Sequence, residues 1–279
     1  MIAAVEAIEF LASSKHRVGV LTALATAGCD RDALRSATGA SSPTMGRVLT
    51  AFEDRRWIER SGSTYHLTPL GEYVARRFTD LCDAMETEQK LRDVWRWLPR
   101  EMEGFSVQLF ADAVIAYPGP RYPYEPVERV IELVDESEWM CGFGSTVFKS
   151  IANEAICNAV LDGMEFEYVY PPEVLAATVA WDPPMVAQAA AQDHCRVFVH
   201  DNLPDKHRCG FGIFEHRVGI CCHDADTRAL RAWIDTDAPE ARKWALSVFE
   251  RYRNEAQPAN DRHMNAKVPE QLATPEDVP

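Results

Sequence analysis

At 279 residues, with 47% hydrophobic and 26% charged side chains, the chain is long enough for two domains that each bury a core. No apolar run approaches the ~20 residues that cross a bilayer, which excludes a membrane-spanning helix. The first apolar stretch carries Glu6 and Glu9 and lacks a basic start, so it does not read as a signal peptide, and a cytoplasmic protein is expected. The net charge of −14 is unevenly spread: residues 1–80 hold ten Lys/Arg and nine Asp/Glu, while the remaining 199 hold 19 and 34. A near-neutral head on an acidic body is the asymmetry expected of a head that meets phosphates. The eight cysteines form no Cys-x-x-Cys pair and are expected to act mostly as small, reduced core residues.

Val5, Ile8 and Leu11 recur at helical spacing over residues 2–12. Ser13 or Ser14 is a candidate cap for the next turn, and Val18, Leu21 and Leu24 continue a helix to Gly28. This leading helix is expected to pack under the next two helices. Lys15, His16 and Arg17 at its start either touch phosphate or form a solvated helix end. Asp32–Thr38 places Ala33, Leu34 and Ala37 on one helical face, and Gly39 turns the chain. Ser41-Ser42-Pro43 then starts a helix whose Met45, Val48, Leu49 and Phe52 form an apolar stripe. Two helices joined by a glycine-bearing turn make a helix-turn-helix. Strand-like runs at 57–60 and 64–67, separated by Ser61-Gly62-Ser63, form a hairpin, and Thr68-Pro69 caps a further helix.

The order helix, turn, helix, hairpin, capped helix describes a winged helix-turn-helix. The run Trp57-Ile58-Glu59-Arg60 with Tyr65-His66-Leu67-Thr68-Pro69-Leu70-Gly71 resembles archaeal and bacterial winged-helix regulators. The recognition helix then offers Ser41, Ser42, Thr44, Arg47 and Thr50 to double-stranded DNA. Hydroxyls near a helix N-terminus suit phosphate and base-edge contacts, and Arg47 suits a guanine. Arg60, Ser61, Ser63 and His66 of the wing are candidates for backbone or minor-groove contact. Arg55 and Arg56 serve either DNA or the helix dipole. A winged helix used only as a protein adaptor is the alternative.

From Thr68 to Leu98 no strong breaker interrupts a stripe of Leu70, Val74, Phe78, Leu81, Met85 and Leu91–Leu98. A helix of about 30 residues is expected, burying this stripe against a second copy in a homodimer or against the chain's own second domain. Pro99 ends it. Residues 100–126 bridge to the second domain, with a strand expected at 107–111 and a proline-rich loop at 116–126. Helices at 127–137, 146–162, 173–180, 184–192 and 238–255 then alternate with strands at 139–143, 165–170, 195–200 and 230–234. A hairpin at 210–214 and 217–222 interrupts the alternation. The fold class is therefore α+β multidomain: a winged helix-turn-helix over 1–71, a linker and dimerisation helix over 72–99, an α/β domain over 100–255, and a disordered tail over 256–279.

Glu86–Pro99 and Phe110-Ala-Asp-Ala-Val114 look like haloarchaeal regulators carrying the middle domain of the methanogenesis filament regulator. Gly212–Gly219, with Asp224 and Trp244, is similar to the phospholipase-D-like effector domains of TrmB-family sugar-responsive regulators. Six lysines against 23 arginines on an acidic chain also resemble haloarchaeal proteins, although a GC-rich genome favours arginine as well. An active phospholipase-D-like site needs a His-x-Lys pair, and the chain has none, nor a G-x-S-x-G or a P-loop; no catalytic residue is expected. No metal or cofactor is assigned. The resemblance implies a domain that binds a small-molecule effector or mediates assembly. The strand-to-helix loop of Cys141-Gly-Phe-Gly-Ser-Thr146 is either a tight structural turn or a backbone cradle for an anion or sugar hydroxyl; an effector is expected at this edge, with Ser145, Thr146, Tyr170 and His200 nearby. A second alternative is metal or thiol sensing by His194, Cys195, His200, His207, Cys209, Cys221, Cys222 and His223.

Overall fold

The computed structural model describes residues 2–144, 150–203, 210–224, 230–260 and 263. The chain forms two units, residues 1–86 and 87–279. The first contains α1 (Ile2–Ala12), α2 (Lys15–Thr26), β1 (Cys29–Asp30), α3 (Arg31–Thr38), α4 (Ser42–Asp54), β2 (Ile58–Ser61), β3 (Thr64–Leu67) and most of α5 (Pro69–Leu91). Its strands form an antiparallel sheet ordered β1-β3-β2.

Side chains cap the starts of α2, α3 and α4. Ser14 accepts from the Arg17 N–H, Asp30 from those of Asp32 and Ala33, and Ser41 from that of Thr44. Gly39 closes α3 at φ 67°, the left-handed conformation that turns the chain toward α4. Leu11, Val20, Leu24, Leu34, Met45 and Phe52 anchor the core, and Phe10 and Trp57 pack edge-on or tilted against Phe52. Two expected apolar faces are narrower than the sequence suggested. Among its three apolar residues α3 buries Leu34 alone, leaving Ala33 and Ala37 exposed, because so short a helix meets α2 and α4 along one line. In α1, Leu11 is buried while Ile2, Val5 and Ile8 are exposed.

The Thr68-Pro69-Leu70-Gly71 run docks α5 onto the wing. The Thr68 hydroxyl donates to the Arg56 carbonyl (2.6 Å) and accepts from the Gly71 N–H (3.1 Å), while the Thr68 N–H donates to the Trp57 carbonyl (2.9 Å). A Cβ on Gly71 would overlap that same carbonyl, so this position needs glycine for close approach.

The long helix is shorter than its stripe implied. After Leu91 the backbone tightens into a 3-10 turn over Arg92–Trp97, and Leu91, Val94 and Leu98 sink into the core of the second unit. Val74 and Phe78 pack on the first unit's core, and Leu81 and Met85, seven residues further along the same stripe, are exposed. The helix α5 runs over Pro69–Leu91, and the division between the two units falls within it, after Glu86.

The second unit is an eight-stranded sheet ordered β11-β7-β6-β5-β8-β9-β10-β4. Its elements are β4 (Val114–Ala116), α6 (Glu125–Asp135), β5 (Trp139–Phe143), α7 (Ser150–Leu161), β6 (Glu165–Tyr170), α8 (Pro172–Trp181), α9 (Pro183–Ala190), β7 (Cys195–Val199), β8 (Gly210–Phe214), β9 (Val218–His223), β10 (Leu230–Thr236), α10 (Pro239–Glu255) and β11 (Gln257–Pro258). β5, β6 and β7 run parallel, and the remaining pairings are antiparallel. Side-chain alternation along the strands separates two cores. On one face Phe143, Val169, Ile213 and Ile234 meet α10 through Trp244 and Phe249. On the other, Met140, Tyr168, Phe214 and Trp233 meet residues of α6–α9.

The strand expected at 107–111 is instead a 3-10 turn over Val107–Phe110. Phe110 is buried between the rings of Phe105 (6.0 Å) and Trp244 (6.4 Å), a side-chain demand that outweighs its strand-forming composition. The edge pairing with β10 falls to β4. Asp235 of β10 is fully buried. Arg129 of α6 grips it with two hydrogen bonds (3.1 and 3.0 Å), and Arg217 donates to it from the start of β9.

Candidate functional site

The helix α4 buries Met45, Val48, Leu49 and Phe52 and turns Ser42, Arg47 and Thr50 outward. Ser41 spends its hydroxyl on the cap and on Thr44 (Oγ···Oγ1 2.9 Å), fixing both residues at the helix start. Arg47 makes no hydrogen bond, ion pair or ring contact among the described residues. The sequence reading missed Arg31. Its guanidinium donates to the Ser42 carbonyl (2.8 Å) and hydroxyl (3.3 Å), placing a cation beside the positive end of the helix. Asp30 caps α3 and sets Arg31 at its first helical position.

The other basic residues divide. Arg60 bonds the Gly62 carbonyl (2.8 Å) and holds the wing turn, leaving Ser61 and Ser63 exposed at its tip. The His66 ring lies over Gly28, at the base of the wing. Arg17 and Arg55 stack on the Phe10 ring at 4.0 and 3.7 Å, and Arg17 also donates to the Phe10 carbonyl (2.6 Å). His16 Nδ1 lies 3.1 Å from the Thr38 carbonyl. Of the three residues expected at the start of α2, Lys15 alone is exposed. No carboxylate pairs with Arg31, Arg47, Arg55 or Arg60 among the described residues.

In the second unit, Ser145 and Thr146 lie outside the described residues. Tyr170 and His200 are backbone neighbours, since the His200 N–H donates to the Tyr170 carbonyl (3.0 Å), yet their side chains occupy opposite faces of the sheet. His200 packs edge-on to Tyr252 of α10 and lies 3.4 Å from Glu255, in a polar recess of about 340 Å³ shared with Asp201, Asn202 and His263. Tyr170 instead lines an apolar cavity between the sheet and α7–α9. This cavity, about 50 Å³, is partly open to solvent. Burial raises the Tyr170 phenol above its usual range, and the Cys157 thiol likewise; it pushes the Cys195 thiol up to about 11.

The His/Cys segment 194–223 is dispersed. His194 meets the Val160 carbonyl (2.8 Å), Cys195 lines the cavity, and Cys222 is buried on the opposite core face, while Cys221 lies 3.7 Å from His223 Nε2. His207 and Cys209 lie outside the described residues. Among the described residues no group of three or more His, Cys, Asp or Glu side chains has the geometry to hold a metal ion, and no helix is long and apolar enough to cross a membrane.

Residues 5–90 match the family model described as the HVO_A0261 N-terminal domain. Residues 123–255 match that of the middle domain of the methanogenesis regulatory protein FilR1. Among solved structures, TrmBL2, an archaeal chromatin protein described as showing a novel mode of DNA binding, is 12% identical. The match covers 90% of this chain and 98% of that one at a TM-score of 0.42. The phospholipase D family member Nuc from Salmonella typhimurium is 13% identical over 53% of this chain and 98% of its own, TM-score 0.42. NucT from Helicobacter pylori is 12% identical over the same shares, TM-score 0.43. No curated protein matches the chain.

Proposed function

We propose that this chain, which joins an HVO_A0261 N-terminal domain to a FilR1 middle domain, is a DNA-binding transcriptional regulator. The observation that carries this reading is the outward face of α4: Ser42, Arg47 and Thr50 exposed beside Arg31, with no carboxylate among the described residues to neutralise the cations. A helix so placed, followed by an exposed wing turn, suits the major groove with the wing along the backbone. Arg47 reads a base edge, Arg31 and Ser42 hold phosphate, and Ser61 and Ser63 follow the flanking strand. Such a protein works in the cytoplasm, on double-stranded DNA.

The working unit in this proposal is a homodimer. Leu70, Tyr73, Leu81 and Met85 of α5 and Ile2, Val5 and Ile8 of α1 are large apolar side chains left exposed on the first unit. A Met85→Glu variant is expected to be monomeric by light scattering, where the parent chain is a dimer. The second unit serves as an effector-sensing or assembly domain and performs no hydrolysis, since the sequence holds no His-x-Lys pair.

The deciding experiment selects bound duplexes from a random pool with the full chain and with Arg47→Ala. Enrichment of one motif, with relaxed preference at one position in the variant, supports the reading. Failure to enrich any motif overturns it in favour of a protein-binding winged helix, and an unchanged motif removes Arg47 from the site.

A further inference from the structure

The cavity bounded by β6, β7, α7, α8 and α9 is built differently from a packing defect. A packed core leaves few voids larger than a water molecule, and dry voids are lined by apolar groups. Here the wall also holds two thiols, Cys157 and Cys195, the buried side chain of Asn153, and the Tyr170 phenol. Thr178 turns its hydroxyl away to the Val174 carbonyl (2.9 Å), so it offers the cavity little polarity. No hydrogen bond engages the Tyr170 hydroxyl among the described residues, although a buried phenol ordinarily finds a partner. Ala189 and Ala190 of α9 leave the space that larger residues would fill.

The lining also selects by charge. No ionised group among the described residues faces the cavity, and both thiols are held protonated by burial, so an ion entering here would lose its hydration without a counter-charge. A thiolate-bound metal would need both thiols deprotonated against that burial. At roughly 10–15 Å³ per water-sized group, the inner 50 Å³ accepts about four such groups, with the remainder of a ligand reaching into the mouth.

We propose that this cavity is a ligand site for a small neutral molecule of about five non-hydrogen atoms, apolar apart from one hydrogen-bond acceptor that receives the Tyr170 hydroxyl. A short-chain ketone is the type. That such a ligand acts as the effector rests on the regulator reading; that it binds does not.

The test uses the full chain, butanone as the neutral probe and butyrate as its charged counterpart. Methyl methanethiosulfonate labels the thiols, and peptide mass spectrometry follows each cysteine. Butanone at ten times its dissociation constant is expected to slow labelling of Cys157 and Cys195 about tenfold. Cys29 and Cys82, half-buried in the first unit, should label unchanged, and butyrate should protect nothing. Ala189→Leu, which fills the cavity, should abolish protection. Tyr170→Phe, which keeps the ring, should weaken butanone about three- to tenfold. No protection at any concentration, protection spread equally over all four cysteines, or equal protection by butyrate overturns the site. Undiminished affinity in Tyr170→Phe overturns the role given to the phenol. DNA binding is measured separately. Protection without any change in DNA affinity keeps the ligand site and removes the effector role, whereas absence of DNA binding overturns the regulator reading alone.

Discussion

In the first unit Arg31, Arg55 and Arg60 lie at the surface, steadied by backbone carbonyls or by an aromatic ring. In the second, Arg129 and Arg217 turn inward onto Asp235, which has no exposure at all. The same side chain therefore serves two ends, and the carboxylate decides which. Guanidiniums held by neutral groups keep their positive charge toward solvent, where phosphate can meet it. Guanidiniums closed on a buried carboxylate are neutralised and tie α6, β9 and β10 together. Counting basic residues does not separate the two uses; their partners do.

The largest effect should come from breaking the buried cluster. Asp235→Ala removes the buried carboxylate, leaves Arg129 and Arg217 only the more exposed Glu132 and Asp237, and should cost the second unit about 3–5 kcal/mol in urea unfolding. A loss below ~1 kcal/mol would break the contrast. On the exposed side, Arg47→Ala should weaken binding to a selected duplex by about 1–3 kcal/mol and relax one base position. Arg31→Ala should weaken all duplexes alike and lower the salt dependence by about one counterion, read from anisotropy titrations at several salt concentrations. If the two variants behave identically, the division between base reading and phosphate holding fails. Gly71→Ala forces the Trp57 carbonyl aside and should lower the first unit's stability by about 1–3 kcal/mol in thermal unfolding. Arg55→Ala should cost about 0.5–1 kcal/mol of stability through the lost stacking on Phe10 and leave DNA affinity unchanged; a loss of affinity would return Arg55 to the DNA face.

The smallest effect concerns pH. Burial pushes Cys141 up to about 12 and Cys195 up to about 11, against an ordinary value of 9.0. The folded state thus keeps protons that the unfolded chain has released. Stability from these thiols is fully present below pH 9.0 and falls as pH rises through 11 to 12. Cys141→Ala with Cys195→Ala should flatten the fall in the urea midpoint over that window.

Local chemistry made much of the fold legible. The Ser41 cap, the left-handed Gly39 and the stripe of Met45, Val48, Leu49 and Phe52 are each readable within a few residues of chain. Strands 139–143 and 165–170 likewise match residue for residue. What escaped depends on contacts distant in sequence. Phe110 is claimed by Trp244, and Leu91, Val94 and Leu98 by the second core. The candidate ligand residues Tyr170 and His200 follow one another across adjacent strands but face opposite ways. The thiol pair shows the same limit: Cys157 and Cys195 share a wall across nearly forty residues, and Cys157 lies outside the segment that sequence spacing had singled out.

The eight-stranded sheet ends in two very short strands, Val114–Ala116 on one side and Gln257–Pro258 on the other. Proline has no N–H to offer a further strand, and a three-residue edge gives an incoming chain little to template on. The sheet is thereby shielded against self-polymerisation. Truncation before Gln257 would bare the flank of Phe198 and Val199 and leave their backbone groups open to pairing with another chain.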